Sequence, residues 1–391
     1  MGGKTGPVDW HFLDHAAGSP ARSEVVEAMV PLLTEGYGNP SGAHALARQA
    51  RGELDAARAR LAAVVGCQPG EVVLTSGGTE ADALAVRGVL GTHPGGTALC
   101  SAVEHHAVLH PVAHAGGRTV PVDERGLVDL DGLAAALDPG VALVSVLLVG
   151  NETGAIQPLP AIAAVVRERA PGAVLHTDAS QALSWLDVPA HVADADLVTL
   201  ASHKCGGPKG VGALVVRDGV ALAPQLLGGG QERDRRAGTQ NVPGAVGFAV
   251  AATMAAAERD ELWERATAWR TRLVAAAGEV GAIDSGVPAG GASDHLVPGI
   301  VHLCVPEVDR EALLFLLEHD HRVLGSAGSS CASGAQEPSH VLAAMGLPVD
   351  LARSSVRLTV GWPTTEAEID EAVAVITAGV ERLAARVLQG G

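Results

Sequence analysis

Aromatic side chains are scarce in this chain: Phe, Tyr and Trp together make up 2% of its 391 residues. A core without large rings must be built from Ala, Val and Leu, and the hydrophobic content still reaches 47%. Basic charge is also short, with 27 Lys and Arg against 44 Asp and Glu and a net charge of −17. No Lys/Arg run is present, so neither a nucleic-acid backbone nor an anionic membrane surface is an expected partner. The five Cys, at 67, 100, 205, 304 and 331, include no C-x-x-C pair. That spacing argues against a zinc ribbon or thioredoxin-type site, and the odd count against a disulfide framework. No metal site is expected. The longest near-apolar stretch, residues 245–257, is too short to cross a bilayer. Residues 1–7 contain no apolar core of a signal peptide. A soluble, cytoplasmic protein is expected.

What is there is a regular alternation, in a chain long enough for two or three domains. From about residue 18 to 250, short apolar runs alternate with Ala-rich helical patterns. Val72-Val73-Leu74-Thr75 leads into Ser76-Gly77-Gly78-Thr79, and Thr97-Ala98-Leu99-Cys100 leads into Glu104-His105-His106. Residues 141–149 are almost continuously apolar and read as a strand buried on both faces, followed by a helix over 158–170. Such alternation predicts an α/β fold with a mostly parallel sheet flanked by helices. Pro243 opens a long helical pattern to about residue 277, as suits proline in a first turn. A Gly/Ala/Pro-rich stretch over 281–298 follows, then strands at 300–305 and 356–360, a helix from about Asp309 and a last helix over 365–387. This tail reads as a smaller α+β domain.

The chemistry gathers at the ends of these runs. Lys204 follows the strand-like run 197–201, and Gly206, Gly207, Pro208 and Gly210 then break the backbone. Asp178 closes the neighbouring run 173–178. A lysine and an aspartate so placed suit pyridoxal phosphate: the amine forms a Schiff base and the carboxylate keeps the pyridine nitrogen protonated. The alternative is a surface lysine beside an aspartate that caps a turn. Ser76-Gly77-Gly78-Thr79-Glu80 lies between strand and helix, where backbone N–H groups and a helix N-terminus favour an anion; an ordinary capped turn has the same composition. His105 can stack on a flat ring, or be a surface residue. Asn151, after the most buried run, can reach a ring oxygen or a carboxylate, or form an Asx-type turn. Gln181 approaches the same place as Asp178. Arg357, inside the apolar strand, needs a partner; a substrate carboxylate held by its fork and an internal salt bridge both serve. Cys331 sits among small residues, Ser326-Ala327-Gly328-Ser329-Ser330 before it and Ala332-Ser333-Gly334 after it, which suits a reactive, mobile thiol.

Taken together, His176-Thr177-Asp178-Ala179-Ser180-Gln181, Ser202-His203-Lys204 and Gly150-Asn151-Glu152-Thr153-Gly154 resemble the pyridoxal-phosphate cysteine desulfurases of the class V aminotransferase group. The resemblance extends over roughly residues 12–385. Ser329-Ser330-Cys331-Ala332-Ser333 and Glu337-Pro338-Ser339 resemble the branch with the longer active-site loop. It implies pyridoxal-phosphate fold type I, with a large cofactor domain over 18–255 and a small domain of 1–17 with 256–391 that carries the Cys331 loop. It implies conversion of L-cysteine to L-alanine, with sulfur passed to Cys331 as a persulfide and on to an acceptor protein, as in iron–sulfur cluster assembly. Lys204 would carry the cofactor, Asp178 its ring nitrogen and Gln181 its ring hydroxyl, with His105 stacked on the ring. Gly78, Thr79, Ser202 and His203 would hold the phosphate, joined by Thr239 from the second subunit of a homodimer. Asn151, near the cofactor, and Arg357 would grip the substrate carboxylate. The chain departs from the pattern at Ala201, where the family usually has Ser, at Gly18-Ser19, where two Thr are common, and at Cys205, read as a buried structural thiol. Two other readings remain: a pyridoxal-phosphate lyase acting on selenocysteine or another β-substituted amino acid, and a weakly active scaffold that docks sulfur acceptors.

Overall fold

The computed structural model describes residues 10–288, 291–328 and 338–389, without the side chains of 320 and 380–389. The chain divides into two compact units. One consists of Gly18–Gly150 and Ala155–Leu262, the other of Met1–Ala17, Asn151–Gly154 and Trp263–Gly391.

Strands are numbered along the chain from a short β1 (His11–Phe12). The first unit is built on a sheet of β2 (Val72–Thr75), β3 (Thr97–Ser101), β4 (Arg118–Val120), β5 (Val141–Ser145), β6 (Val174–Asp178), β7 (Leu197–Ala201) and β8 (Gly212–Val216). Their order is β2-β8-β7-β6-β5-β3-β4. Four pairings, from β4 through β3, β5 and β6 to β7, are parallel. β8 runs antiparallel to both neighbours, so β2 points the same way as β7. The C-terminal ends of β2, β3, β5, β6 and β7 therefore share one edge, the edge at which ligands of open α/β sheets bind. The expected α/β class with a mostly parallel sheet is found.

The apolar run at 141–149 behaves differently from a single long strand. Regular pairing stops at Ser145, although Val146 N still donates to His176 O (3.0 Å) and Leu148 N to Asp178 O (2.8 Å). The run stays buried to Val149 because its amides keep following β6. The lack of aromatics is met by close packing of small side chains. The helix Gly78–Thr92 buries Ala81, Leu84, Ala85, Val86 and Val89 against Val73, Ala98, Leu143 and Leu214. Each such Val or Leu contributes on the order of 1.5–3 kcal/mol.

The second unit contains β9 (Ile283–Asp284), β10 (Ile300–Cys304) and β12 (Ser355–Thr359) as an antiparallel sheet in the order β12-β10-β9, and β1 paired in parallel with β11 (Val323–Leu324). The helices Arg310–His321 and Glu366–Gln389 belong to this unit. Asp14 bridges to Thr359, which joins the N-terminal segment to β12. No helix among the described residues is long and apolar enough to cross a membrane.

Candidate active site

Lys204 owes its place to a short break after β7. Ser202–Lys204 form one turn of 3-10 helix, and the amides of Cys205 (3.2 Å) and Gly207 (3.1 Å) both close on Ser202 O. Glycine is needed at 207, where a Cβ would collide with Ser202 Oγ. On the adjacent strand, Asp178 is the last residue of β6 and is buried; its Oδ1 accepts from Ser180 N at 2.9 Å. Register pairs Asp178 with Thr199, so lysine and aspartate leave neighbouring strands on the same edge. Gln181 follows in the turn after β6, half-buried.

Gly77 and Gly78 form a cradle at the end of β2. Gly77 has φ +153, a conformation open to glycine, and Gly78 begins a full-length helix. The backbone of β8 runs against this turn, since a Cβ on Gly212 would lie 2.5 Å from Gly77 C. A Cβ on Gly78 would meet Ser180 Oγ at 3.0 Å and Ala201 Cβ at 3.4 Å. Exposed Thr79 follows, and Ser76 N donates to Glu80 Oε2 at 2.7 Å. Glu80 also takes Arg236 Nε at 2.7 Å, which ties the segment bearing exposed Thr239 to the same helix start. His203 packs near Gly18, and its O accepts from Ser19 N at 2.8 Å. Burial, with the charges of Lys204 and Lys209, lowers its imidazole to about 4, so it is neutral.

Behind this edge lies a cluster of buried acids. Asp82 and Glu104 are both pushed well above the usual carboxylate range, first by burial and then by the charge of Asp178. Glu104 Oε1 accepts from Leu147 N at 2.6 Å. His176 spans Ser145 Oγ (2.8 Å) and Thr199 Oγ1 (3.0 Å), and burial lowers it to about 4. The neutral imidazole supplies no positive charge to balance these acids. His105 caps the helix that follows β3, its Nδ1 accepting from Ala107 N at 3.1 Å. In the neutral ring that leaves the proton on Nε2.

The model of the aminotransferase class-V family matches residues 11–372. The chain belongs to that family. It is 37% identical over 380 residues to a cysteine desulfurase IscS of Dictyoglomus turgidum, with 95% of both chains covered. Among solved structures, a NifS-like protein superposes with a TM-score of 0.87 at 31% identity, covering 95% of this chain and 99% of that one. A structure described as SspA in complex with cysteine gives a TM-score of 0.76 at 30% identity, covering 89% of this chain and 98% of that one.

As a class-V aminotransferase relative the chain depends on pyridoxal phosphate, and its residues fit that group. The glycine cradle at a helix N-terminus has room for a phosphate that a Cβ on Gly78 would reduce. The charge of Asp178 adds to burial in raising both Asp82 and Glu104, and a protonated ring nitrogen beside Asp178 would offset that charge. The position facing the cradle from β7 is Ala201. Ser202 Oγ is fully buried against Gly207 and finds no hydrogen-bond partner among the described residues. The hydroxyl beside Gly78 belongs to Ser180, which the motif reading passed over as part of the Asp178 segment. The pairing of Asp82 with Glu104 was also missed, although Asp82, an acid at a buried position of the helix Gly78–Thr92, is a readable signal. A further signal was the lysine count: Lys4, Lys204 and Lys209 are the only lysines in the chain. Cys205 is buried, its thiol pushed up to about 12 by burial.

In the other unit, Arg357 on β12 is 2% exposed and its guanidinium is heavily engaged. Nη1 donates to Asn151 O (2.8 Å) and Gly328 O (3.1 Å), and Nη2 to Asp14 Oδ1 (2.7 Å). Both alternatives for this arginine are thus in view: an internal ion pair exists, and Nε–H finds no partner among the described residues. Asn151 and Arg357 are brought together. Cys331 lies outside the described residues.

Proposed function

We propose that this protein is a pyridoxal-phosphate-dependent cysteine desulfurase that converts L-cysteine to L-alanine and passes the sulfur through a persulfide on Cys331 to an acceptor protein. The observation that carries the reading is Lys204 beside Asp178 at one sheet edge with the Gly78 cradle, in a chain 37% identical along its length to a cysteine desulfurase. When bound, the cofactor supplies an electron sink for the α-carbon of the substrate. Lys204 would attach it through its amine and would carry protons between the α- and β-carbons of the substrate. Asp178 holds the proton on the ring nitrogen, Gln181 holds the ring hydroxyl, and His105 lies on the ring face with its Nε2–H. Gly78, Thr79 and His203 hold the phosphate, with Ser180 in the role expected of Ser202. Arg357, through its unpaired Nε–H, and Asn151 hold the substrate carboxylate. The Cys331 thiolate attacks the substrate sulfur. The S–S bond forms as the Cβ–S bond breaks, and the released electron pair takes a proton at Cβ to give alanine.

A homodimer is part of this reading, with Thr239 completing the partner's phosphate site. Val26, Val30 and Leu33 along one helix, with Tyr37 and Leu227, are apolar and exposed, as a subunit interface requires. The reaction is assigned to the cytoplasm, where thiols stay reduced. The sulfur acceptor is a protein of iron–sulfur assembly, of nucleic-acid thiolation or of biosynthesis. The test is mass spectrometry after exposure to L-cysteine. One sulfur should be added at Cys331 with alanine released, and Cys331→Ala should form neither product. Full alanine production by Cys331→Ala, with no sulfur on the wild-type thiol, would replace the desulfurase by a lyase.

A further inference from the structure

We propose that Asp82 is a positioning residue for pyridoxal phosphate: through Thr199 it fixes the phosphate-holding start of its own helix against the strands that present Asp178 and Lys204. The inference rests on the assignment of Gly78, Asp178 and Lys204 to the cofactor site. Asp82 lies four residues after Gly78 on the helix Gly78–Thr92, about one turn along the same face. It is 1% exposed, and its Oδ1 has no hydrogen-bond partner among the described residues. Thr199 lies on β7 and is paired in register with Asp178 at the end of β6. Lys204 follows β7 in the turn Ser202–Lys204. The Asp82 carboxyl and the Thr199 side chain share a hydrogen bond. One bond thus joins the helix that opens with the phosphate cradle to the two strands that present the aspartate and the lysine. A ligand gripped at its phosphate by the helix start and at its ring nitrogen by the strand end is sensitive to the distance between them.

The bond is one link of a buried chain. Thr199 Oγ1 also meets His176 Nε2 at 3.0 Å, and His176 Nδ1 meets Ser145 Oγ at 2.8 Å. Asp82, Thr199, His176 and Ser145 are all buried. A hydroxyl has one proton, so Thr199 donates either to Asp82 or to His176. The surroundings decide between the two. From the elements packed about it, Asp82 faces His176 and Asp178 of β6, Thr199 of β7 and Glu104 in the turn after β3. Two of these are acids, and the imidazole, 3.6 Å from Asp82 Oδ1, is neutral. An ionised Asp82 would be a buried charge with one oxygen unpaired beside the charge of Asp178. With the carboxyl protonated, Asp82 O–H donates to Thr199 Oγ1, Thr199 O–H to His176 Nε2, and His176 Nδ1–H to Ser145 Oγ. Each of these protons then has an acceptor, and the oxygen left over is an uncharged carbonyl. Asp82 therefore braces the helix as a neutral group and leaves the charge beside the ring nitrogen to Asp178.

The experiment measures, by equilibrium dialysis of the full-length protein, the affinity for pyridoxal phosphate and for pyridoxal, which lacks the phosphate. It compares wild type, Asp82→Ala, Asp82→Asn, Thr199→Val and the Asp82→Ala/Thr199→Val double variant. Without the bond, the cofactor itself must fix the helix start against the strands, at a cost up to that of one hydrogen bond. Asp82→Ala and Thr199→Val should each weaken binding of pyridoxal phosphate about tenfold. Pyridoxal, held at its ring end only, should lose less than about twofold. The double variant should lose no more than either single one, because both remove the same link. Asp82→Asn keeps the shape and a neutral donor towards Thr199, and should restore affinity to within about twofold of wild type. Thr199→Val is nearly isosteric and carries the test should Asp82→Ala fail to fold. Wild-type affinity for pyridoxal phosphate in Thr199→Val and in any folded Asp82→Ala would overturn the inference. Equal losses for pyridoxal phosphate and pyridoxal would also overturn it, because they mark damage at Asp178 or Lys204 instead of lost spacing. So would a loss in Asp82→Asn as large as in Asp82→Ala, which would require a charge at position 82. Failure of the site assignment reads differently: borohydride would then fix the wild-type cofactor to a lysine other than Lys204, and the inference would fall with the site.

Discussion

Glu232→Ala tests how the segment bearing Thr239 is kept in place. The Glu232 and Arg58 side chains are 1% and 7% exposed, and the carboxylate receives Arg58 Nη1 (2.8 Å), Arg58 Nη2 (2.9 Å), Leu74 N (2.9 Å) and Gln240 Nε2 (3.3 Å). Removing one partner of such a buried pair costs about 3–5 kcal/mol, because the other charge is left unpaired. Against this stands backbone strain. Glu232, Arg233 and Asp234 have φ of +49, +57 and +63, a left-handed run in residues that are not glycine, worth about 1–2 kcal/mol each. Truncation lets the turn relax and recover about half of that strain, so at the middle of both ranges the global loss should be about 2 kcal/mol while the turn itself is lost. At roughly 2–4 °C per kcal/mol the melting temperature should fall by about 4–8 °C. Cleavage by trypsin at the arginines of 233–236 should rise well beyond that. Burial pushes the Glu232 carboxyl up, but hydrogen bonds and charge from Arg58, with Leu74 N and Gln240, outweigh it and hold the carboxyl below its ordinary value. A depressed folded pKa gives stability that is complete above the unfolded value of about 4.3 and is lost as pH falls through the folded one. The gap between wild type and Glu232→Ala should therefore be constant above pH 5 and shrink in acid. Arg233→Gly in the wild type should stabilise, since it removes strain and keeps the ion pair. A melting temperature for Glu232→Ala within 1 °C of wild type, with unchanged trypsin cleavage, would refute the reasoning.

Lys204→Ala should lose the visible absorbance of covalently held cofactor and all turnover; borohydride fixation of the cofactor to Lys209 or Lys4 would move the site elsewhere. Asp178→Asn should keep part of its cofactor but lose about a hundredfold or more in rate, as the proton on the ring nitrogen is no longer held, and near-normal turnover would mean another group holds it. Ser180→Ala should weaken pyridoxal phosphate binding about tenfold by equilibrium dialysis; an effect only in Ser202→Ala would return the phosphate contact to Ser202.

The parts of this protein that could be read from its sequence are those that local chemistry fixes. Strand β7 was read without error because Leu197 to Ala201 is uniformly apolar and a cluster of glycines follows it. The Lys204 turn, the Gly77-Gly78 cradle and the long helix opened by Pro243 were legible for the same reason: each is set by residues a few positions apart. The run at 141–149 was only half legible, because an apolar pattern reports burial and not where ladder pairing stops. Partnerships between distant residues could not be read at all. Arg58 with Glu232, Arg357 with Asp14 and Ser339 with Glu152 each join charges or dipoles more than a hundred and fifty positions apart. A buried polar group must find a partner, but the sequence says only that it needs one. Which one is decided when the sheet order sets β6 beside β7 and β10 beside β12. The same ordering gathered Asp82, Glu104 and Asp178, three acids with no sequence relation, and placed Ser180 beside Gly78 where Ala201 has no hydroxyl to offer. Local residue types determined what chemistry this chain can do; only the packing of strand ends determined which side chains share it.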